Sequence, residues 1–320
     1  MTRLTDRIPY QAIVDRPKLT LPDGKGMAVW VILNVEEWQI ERPMPRTVLP
    51  PPMGQPLLPD VPNWSWHEYG MRSGFWRQHK ALTDRRIPTT LAINGNVCKS
   101  YPRVAQAALD AGWEFMGHGH LQGPMHKLED QQAAIHAAID GIEAFCGRRP
   151  TSWESPGLTE TDETLDLLAA NGVKNVADWV IDDLPETIQT PSGPVTTLPY
   201  TVENNDIAVH ALQGHPASEF LNRGRDQFDR LYAEGADSAR IMAISVHPYI
   251  TGVPHRIRYL EELLDYVKGH DRVAWMTGAG IGDWYRAEMA RLIEAGDLAE
   301  AYFCGDDVLS VGAMDALAEA

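Results

Sequence analysis

Acidic side chains and histidines follow short apolar runs at four places along this 320-residue chain. Carboxylates and imidazoles can exchange protons and bind metal ions near neutral pH, so together they could activate a water molecule and protonate a leaving group. The pattern therefore predicts acid–base or metal-assisted hydrolysis, if the fold brings the four places together. The residues concerned are Glu36, Glu37, His118, Asp178 and His247.

Each of these residues taken alone also has an ordinary structural explanation. Glu36 and Glu37 could belong to a solvated loop, although burying either charge without a partner would be costly. Asp178 could cap a helix or stabilise a turn, because Asp favours both positions. His247 precedes a proline and could simply end a strand. The prediction of a site rests on the joint pattern.

The apolar runs before these residues are typical of strands in a parallel sheet. Met27–Leu33 is continuous and β-rich, which favours a strand buried on both faces. Helical stretches alternate with the runs, and roughly seven strand–helix repeats favour an α/β fold with a barrel over one with an open sheet. Side chains at the carboxyl ends of such strands share one face. The other predicted strands are Thr89–Ile93, Trp113–Met116, Val173–Val176, Val195–Leu198, Ile241–Val246 and Val273–Met276.

The domain prediction has three parts: an N-terminal arm (residues 1–26), a barrel (27–287) and a C-terminal helical extension (288–320). Within the barrel, Arg42–Pro62 is rich in proline and reads as a long irregular loop. Loops of this length are functional or disordered. Trp64, Trp66 and Tyr69 follow directly, which favours an ordered lid.

Composition excludes several classes of partner. A formal net charge of −16 disfavours binding to a phosphate backbone. No run reaches the ~20 apolar residues that a membrane span needs, and Met1–Tyr10 lacks the apolar core of a signal peptide. The three cysteines are far apart and predict neither disulfides nor a thiolate metal site. We expect a cytosolic protein that acts on a small molecule, without nucleic-acid or membrane partners, and that assembles as a homo-oligomer.

Five motifs resemble the polysaccharide-deacetylase (NodB-homology) superfamily, and within it the intracellular branch of metal-independent allantoinases and cyclic-imide hydrolases. This resemblance implies a distorted barrel of about seven strands. It also implies hydrolysis of a carbon–nitrogen bond that is not a peptide bond. The motifs are LNVEEW (Leu33–Trp38), GHGHLQ (Gly117–Gln122), the stretch Ser155–Val173, ADWVIDDLP (Ala177–Pro185) and SVHPYITGVPHR (Ser245–Arg256).

The resemblance also implies roles for single residues. The superfamily's paired aspartates, a general base and a metal ligand, match Glu36 and Glu37. Of its two metal-binding histidines, the first matches His118 but the second matches Gln122, a poor ligand for Zn²⁺. The arginine that orients the base is replaced by Glu154, and the catalytic histidine matches His247.

These matches complete the predicted site. The catalytic set is Glu36, Glu37 and His247, with Asp178 or Asp182 orienting a histidine. The cofactor is one divalent metal (Zn or Mn) or none, with Glu37, His118 and Gln122 as ligands if one binds. The predicted substrate-binding residues are Asn34, Trp38, Trp66, Trp153, Pro156, Trp179, Asp182, Tyr249 and His255.

Three functions remain open from the sequence. The first is hydrolysis of a cyclic amide, imide or ureide of a small heterocycle, as in allantoinases. The second is metal-dependent deacetylation or deformylation of a small N-acyl or carbohydrate substrate. The third is a barrel that binds a metabolite without catalysis. Metal content and activity after chelation separate the first two, and ligand binding without the carboxylates would support the third.

Overall fold

A nine-residue strand, β1 (Met27–Val35), pairs with three other strands of a mostly parallel sheet. In this computed structural model, which describes residues 4–296, every residue of β1 is buried. The continuous apolar run fits this position, because a strand covered on both faces needs apolar side chains on both. β1 pairs in parallel with β2 (Thr89–Ile93) and β8 (Arg240–Val246), and its first half also pairs with β9 (Val273–Met276).

The sheet continues beyond β2 through shorter strands, which follow in the order β3, β4, β5, β7 and β6. All of these neighbours pair in parallel except β6, which is antiparallel to β7. Their bounds are β3 (Glu114–Gly117), β4 (Ser152–Trp153), β5 (Asn175–Val176), β6 (Thr187–Ile188) and β7 (Val195–Thr197).

The chain that follows β7 ties the far end of this sheet to β8. Asn205 forms an isolated parallel bridge with Ser245, and the Asn204 side chain donates to the carbonyl oxygen of Ala243 at 3.2 Å. The Thr201 hydroxyl accepts the amide of the same Ala243. These bonds join β7 and β8 across the gap where the sheet has no ladder. The predicted parallel α/β fold is confirmed.

Helices pack around the sheet, and the two faces of β1 contribute to two separate apolar cores. Odd-numbered residues of β1, such as Val29 and Val31, share a core with the helices, whereas Ala28, Trp30 and Ile32 share a second core on the inner face. This alternation is the period of two that a strand imposes. The helices are α1 (Val61–Tyr69), α2 (Phe75–Asp84), α3 (Val97–Ser100), α4 (Pro102–Asp110), α5 (Gln131–Cys146), α6 (Thr164–Ala170), α7 (Glu219–Glu234), α8 (Ile257–Lys268) and α9 (Gly278–Ala295).

The two ends of the chain attach differently. The arm is tied down by Arg7, which pairs with Asp166, and by Leu19 and Leu21, which are buried in the inner core. The predicted C-terminal extension begins inside α9, and its residues 297–320 lie outside the described part of the chain. Within residues 4–296, none of the helices combines the length and apolar character that crossing a membrane requires.

A π-helical turn, Gly70–Gly74, joins α1 to α2 and lies against the turn after β8. A Cβ atom added at Gly74 would collide with the carbonyl oxygen of Pro248, and one added at Gly70 would meet the backbone nitrogen of Tyr249 at 2.6 Å. Glycine therefore lets the two backbones approach closely. Because Pro248 and Tyr249 directly follow His247, this contact positions one wall of the candidate site.

We expect Gly74→Ala to lower the free energy of unfolding by about 1–3 kcal/mol, the usual cost of overpacking. Alanine is the better helix former, so a loss can come only from the contact with Pro248. Gly123→Ala is the matched control, because no atom lies within 4 Å of the added Cβ. Urea titrations of the three proteins measure the effect. Equal midpoints for Gly74→Ala and wild type would show that the turn tolerates the methyl group.

Candidate active site

Glu36 is the centre of a buried polar cluster at the carboxyl end of β1. It continues the even-numbered series of Ala28, Trp30 and Ile32, so its side chain enters the inner face of the sheet. Only 1% of Glu36 is exposed. Three donors satisfy its carboxylate: Trp38 Nε1 at 2.7 Å and the Tyr249 hydroxyl at 3.1 Å reach Oε2, and Gln122 Nε2 at 2.9 Å reaches Oε1.

Two imidazoles face the same carboxylate oxygen. The Nε2 atom of His247 lies 3.6 Å from Glu36 Oε1, and that of His118 lies 4.0 Å from it. Both distances are longer than a direct hydrogen bond, so a water molecule or a substrate atom can bridge the groups. The structure thus brings together Glu36, His118 and His247, which the sequence places more than 200 residues apart at the extremes.

Asp206 holds His247 in place and was missed by the sequence-based prediction. Its Oδ1 lies 2.7 Å from His247 Nδ1, while its Oδ2 accepts the backbone amide of His247 at 2.7 Å and the Thr251 hydroxyl at 2.6 Å. Asp206 is fully buried. A carboxylate on Nδ1 fixes the ring orientation and stabilises the doubly protonated imidazole, which can then donate a proton from Nε2.

His118 is held in its neutral form. Its Nδ1 donates to the carbonyl oxygen of Glu154 at 2.7 Å, which leaves Nε2 as a bare acceptor, and no residue in the described range hydrogen-bonds to that atom. Burial lowers the pKa of His118 to about 4, against the opposing attraction of Glu36. The ring is therefore neutral at pH 7 and offers a lone pair toward Glu36.

Comparison with known proteins identifies this arrangement of strands and residues. Residues 66–176, which include His118, Gln122 and Glu154, match the family model of polysaccharide deacetylases. The crystal structure of a Pseudomonas aeruginosa PAO1 protein assigned to the polysaccharide deacetylases superposes with a TM-score of 0.78, at 27% identity over 86% of this chain and 95% of that one. The chain is therefore similar to polysaccharide deacetylases in the sequence of this segment and in fold. The predicted resemblance is confirmed.

Two further proteins that this chain resembles differ in their named activities. A Schizosaccharomyces pombe protein assigned as a polysaccharide deacetylase is 28% identical over 234 residues, covering 67% of this chain and 72% of its own. The crystal structure of PuuE allantoinase has a TM-score of 0.77 at 26% identity, covering 85% of this chain and 94% of its own. Deacetylation and allantoin ring opening both cleave a carbon–nitrogen bond. The chain is a hydrolase of carbon–nitrogen bonds, as predicted.

The metal that the superfamily implies does not fit the residues at this site. The carboxylate of Glu37 accepts from Asn96 Nδ2 at 2.8 Å and from the Ser100 hydroxyl at 2.6 Å, because Glu37 points away from the inner face. The three predicted ligands Glu37, His118 and Gln122 therefore do not converge. Among residues 4–296, no three His, Cys, Asp or Glu side chains are grouped to hold a metal ion.

The orientation of Gln122 supports the same conclusion. The backbone amide of Glu37 donates to Asn94 Oδ1 at 2.7 Å, which fixes the Asn94 side chain. Its Nδ2 then donates to Gln122 Oε1 at 3.1 Å, so Gln122 presents its NH₂ group to Glu36. The atom of Gln122 that could bind a cation is thus occupied, and a hydrogen-bond donor faces the site instead.

Glu36 nevertheless stays ionised. Burial alone would raise the pKa of this carboxyl, but the charges of His247 and Arg46, with smaller contributions from His118 and the Trp38 hydrogen bond, hold it below its usual range. Arg46 belongs to the proline-rich loop (residues 42–62), and the sequence-based prediction did not single it out. An ionised Glu36 can accept a proton from water.

Asp178 lies next to this centre in a row of buried acids whose pKa values are raised. Its Oδ1 accepts the backbone amide of Ser155 at 2.7 Å, one residue after Glu154. Burial raises the pKa of Asp178 to about 6 and that of Glu160, which also feels Asp178, to about 9. Burial, Asp178 and Glu36 likewise raise the pKa of Glu154 well above its usual range. Asp178 thus fixes the chain that orients His118 and does not contact a histidine itself.

An aromatic wall borders Glu36 on one side. The Trp38 ring stacks on the His67 ring with 4.7 Å between the ring centroids. Tyr249 and Trp66 pack edge to face with 4.9 Å between their centroids. His67, a second residue missed from the sequence, also has its Nε2 2.9 Å from the carbonyl oxygen of Glu36. The wall places Trp38, Trp66 and Tyr249, three predicted substrate-binding residues, beside the carboxylate.

The other predicted substrate-binding residues make contacts that do not involve Glu36. Asn34 and Trp153 are fully buried and bond to Ser245 and Ser155, respectively. Asp182 forms an ion pair with Arg16 at 3.0 Å. The remaining members are Pro156, which lies against Gly119, Trp179, which donates to Glu160, and His255, which is exposed.

Proposed function

We propose that this protein hydrolyses a cyclic amide, imide or ureide bond in a small heterocycle. The observation that carries the proposal is the arrangement of Glu36 opposite the Nε2 atoms of His118 and His247, beside an aromatic wall and without a fitting set of metal ligands. A flat ring packs well against aromatic faces. PuuE allantoinase, which is 26% identical, is named for an activity of this substrate class.

The side chains can divide the reaction between them. Glu36 accepts a proton from a water molecule whose oxygen bonds to the carbonyl carbon, and His118 can hold that water through the lone pair on Nε2. The carbon–nitrogen bond then breaks as the nitrogen takes a proton from His247 Nε2, and Asp206 stabilises the charged imidazole beforehand. Return of the proton from Glu36 to His247 through solvent restores the starting state.

A substrate screen of the purified protein tests the proposal. Allantoin, hydantoin and succinimide represent the ring class, and N-acetylglucosamine oligomers represent the rival deacetylase substrates. We expect turnover of at least one ring compound, and we expect it to persist after exhaustive chelation. Release of acetate from the oligomers, dependent on added Zn²⁺ or Mn²⁺ and without ring opening, would instead establish the metal-dependent deacetylase.

A further inference from the structure

The proline-rich loop (residues 42–62) carries a positively charged side chain, Arg46, at the mouth of the site. Before Arg46, the Met44 side chain packs on the cluster formed by Trp38, Ile207, Tyr249 and Ile250. After it, the amides of residues 48 and 49 donate to Asn63 Oδ1 at 2.7 and 3.0 Å. The backbone on both sides of Arg46 is therefore fixed by contacts with the rest of the protein. Arg46 is half-buried, whereas Arg42 on the same loop is exposed.

The residues whose charges affect the pKa of Arg46 all lie in or beside the candidate site. Burial alone would lower the pKa of Arg46, but Tyr249, Glu36, Tyr200 and Asp206 raise it above its usual value. Of these, Glu36 is ionised at neutral pH. In return, Arg46 lowers the pKa of Glu36 and of Glu154. Met44, two residues before Arg46, packs on Trp38 and Tyr249, and both of these side chains donate to Glu36 Oε2. The loop therefore places Arg46 at the mouth of the site, on the side of that carboxylate.

Attack of water on a carbonyl group places negative charge on the carbonyl oxygen, and hydrolases stabilise that charge with fixed donors or a metal. At this site, Trp38 and Tyr249 donate their single side-chain hydrogen to Glu36, and Gln122 donates one of its two. His118 offers a lone pair, and the proton of His247 is needed for the leaving nitrogen. The Arg46 guanidinium has five donors and a permanent charge.

We propose that Arg46 binds the carbonyl oxygen of the substrate and stabilises the negative charge that develops there. This inference rests on the proposed hydrolysis at Glu36. As the water oxygen bonds to carbon, one electron pair of the carbonyl bond moves to the oxygen facing Arg46. The pair returns when the carbon–nitrogen bond breaks.

The kinetic test compares Arg46→Met with Arg42→Met, an equal loss of charge on the same loop. We expect the pH-independent plateau of kcat/KM to fall roughly 10²–10³-fold for Arg46→Met, as when an oxyanion donor is removed from a hydrolase. Arg42→Met should match wild type, and both variants should unfold at the wild-type temperature. If Arg46→Met keeps the plateau and only moves the acid limb upward, Arg46 merely keeps Glu36 ionised and the proposal is wrong.

A binding test separates this proposal from the proposed function. The probe is inorganic phosphate, measured by calorimetry in Glu36→Gln protein, whose neutral side chain no longer repels anions. We expect phosphate to bind and Arg46→Met to weaken it roughly tenfold or more, while Arg42→Met leaves it unchanged. If Arg46→Met does not change the affinity for phosphate, or if phosphate does not bind at all, the proposed role of Arg46 is wrong. If no ring substrate is turned over but this dependence holds, the proposed function fails and Arg46 remains an anion-binding residue.

Discussion

Glu36→Gln should lower kcat for ring opening by roughly 10²–10⁴-fold, whereas Glu37→Gln should stay within about tenfold of wild type. The two glutamates are adjacent, but only Glu36 faces His118 and His247. Glutamine keeps the size of the side chain and an acceptor for Trp38, so the fold should survive. It cannot accept a proton from water. Steady-state rates of the two variants on the same substrate measure the difference.

The pH profile checks the same assignment independently. The pKa of Glu36 lies below the ordinary value of 4.5, so this carboxylate is ionised throughout the range above that pH. We therefore expect its acid limb in the profile of kcat/KM to lie below pH 4.5. A larger loss for Glu37→Gln than for Glu36→Gln would show that the base is the glutamate held by Asn96 and Ser100, and that the arrangement around Glu36 is structural.

The choice between Glu36 and Glu37 was available from the sequence in principle. Side chains alternate along a strand, so a glutamate that follows Trp30, Ile32 and Asn34 at intervals of two must share their face. The continuous apolar run of β1 hides this alternation, because both faces are buried. The inner face becomes recognisable only when Ala28 and Trp30 are seen to pack apart from Val29 and Val31.

Most of the fold followed from apolar runs and helix signals, and the exceptions have physical causes. β4 consists of Ser152–Trp153, too short for any periodic pattern. The helices α3 and α4 are separated at Tyr101, because the next residue is Pro102 and the residue before a proline is disfavoured in helical conformation. The helix α1 begins inside the segment predicted as an irregular loop.

The missed residues of the site share a different cause. Arg46, His67 and Asp206 lie in the proline-rich loop, in the helix after it and in the segment that joins β7 to β8. None of them follows the carboxyl end of a predicted strand, which is the position from which Glu36 and His247 were predicted. Asp206 stands 41 residues before its partner His247, and only closure of the sheet at Asn205 and Ser245 brings the two together.

Asp206→Asn should lower kcat by roughly 10²–10⁴-fold, because it removes the charge that makes His247 an acid. The backbone amide of His247 and the Thr251 hydroxyl both donate to Oδ2, so the asparagine oxygen must take that position. Its NH₂ group then faces His247 Nδ1, which has to accept. The single proton of the ring moves to Nε2, and the neutral imidazole is a far weaker acid than the charged form.

Thr251→Val is the matched control, since it removes a hydrogen bond to the same carboxylate but leaves Oδ1 on His247 Nδ1. We expect it to cost about 0.5–1.5 kcal/mol of stability and to change kcat less than tenfold. The deciding measurement is a series of substrates with increasingly acidic leaving nitrogens. Such nitrogens depart with less help from a proton, so the defect of Asp206→Asn should shrink along the series. A defect that stays constant would mean that Asp206 supports the local fold, and that the proton comes from a group other than His247.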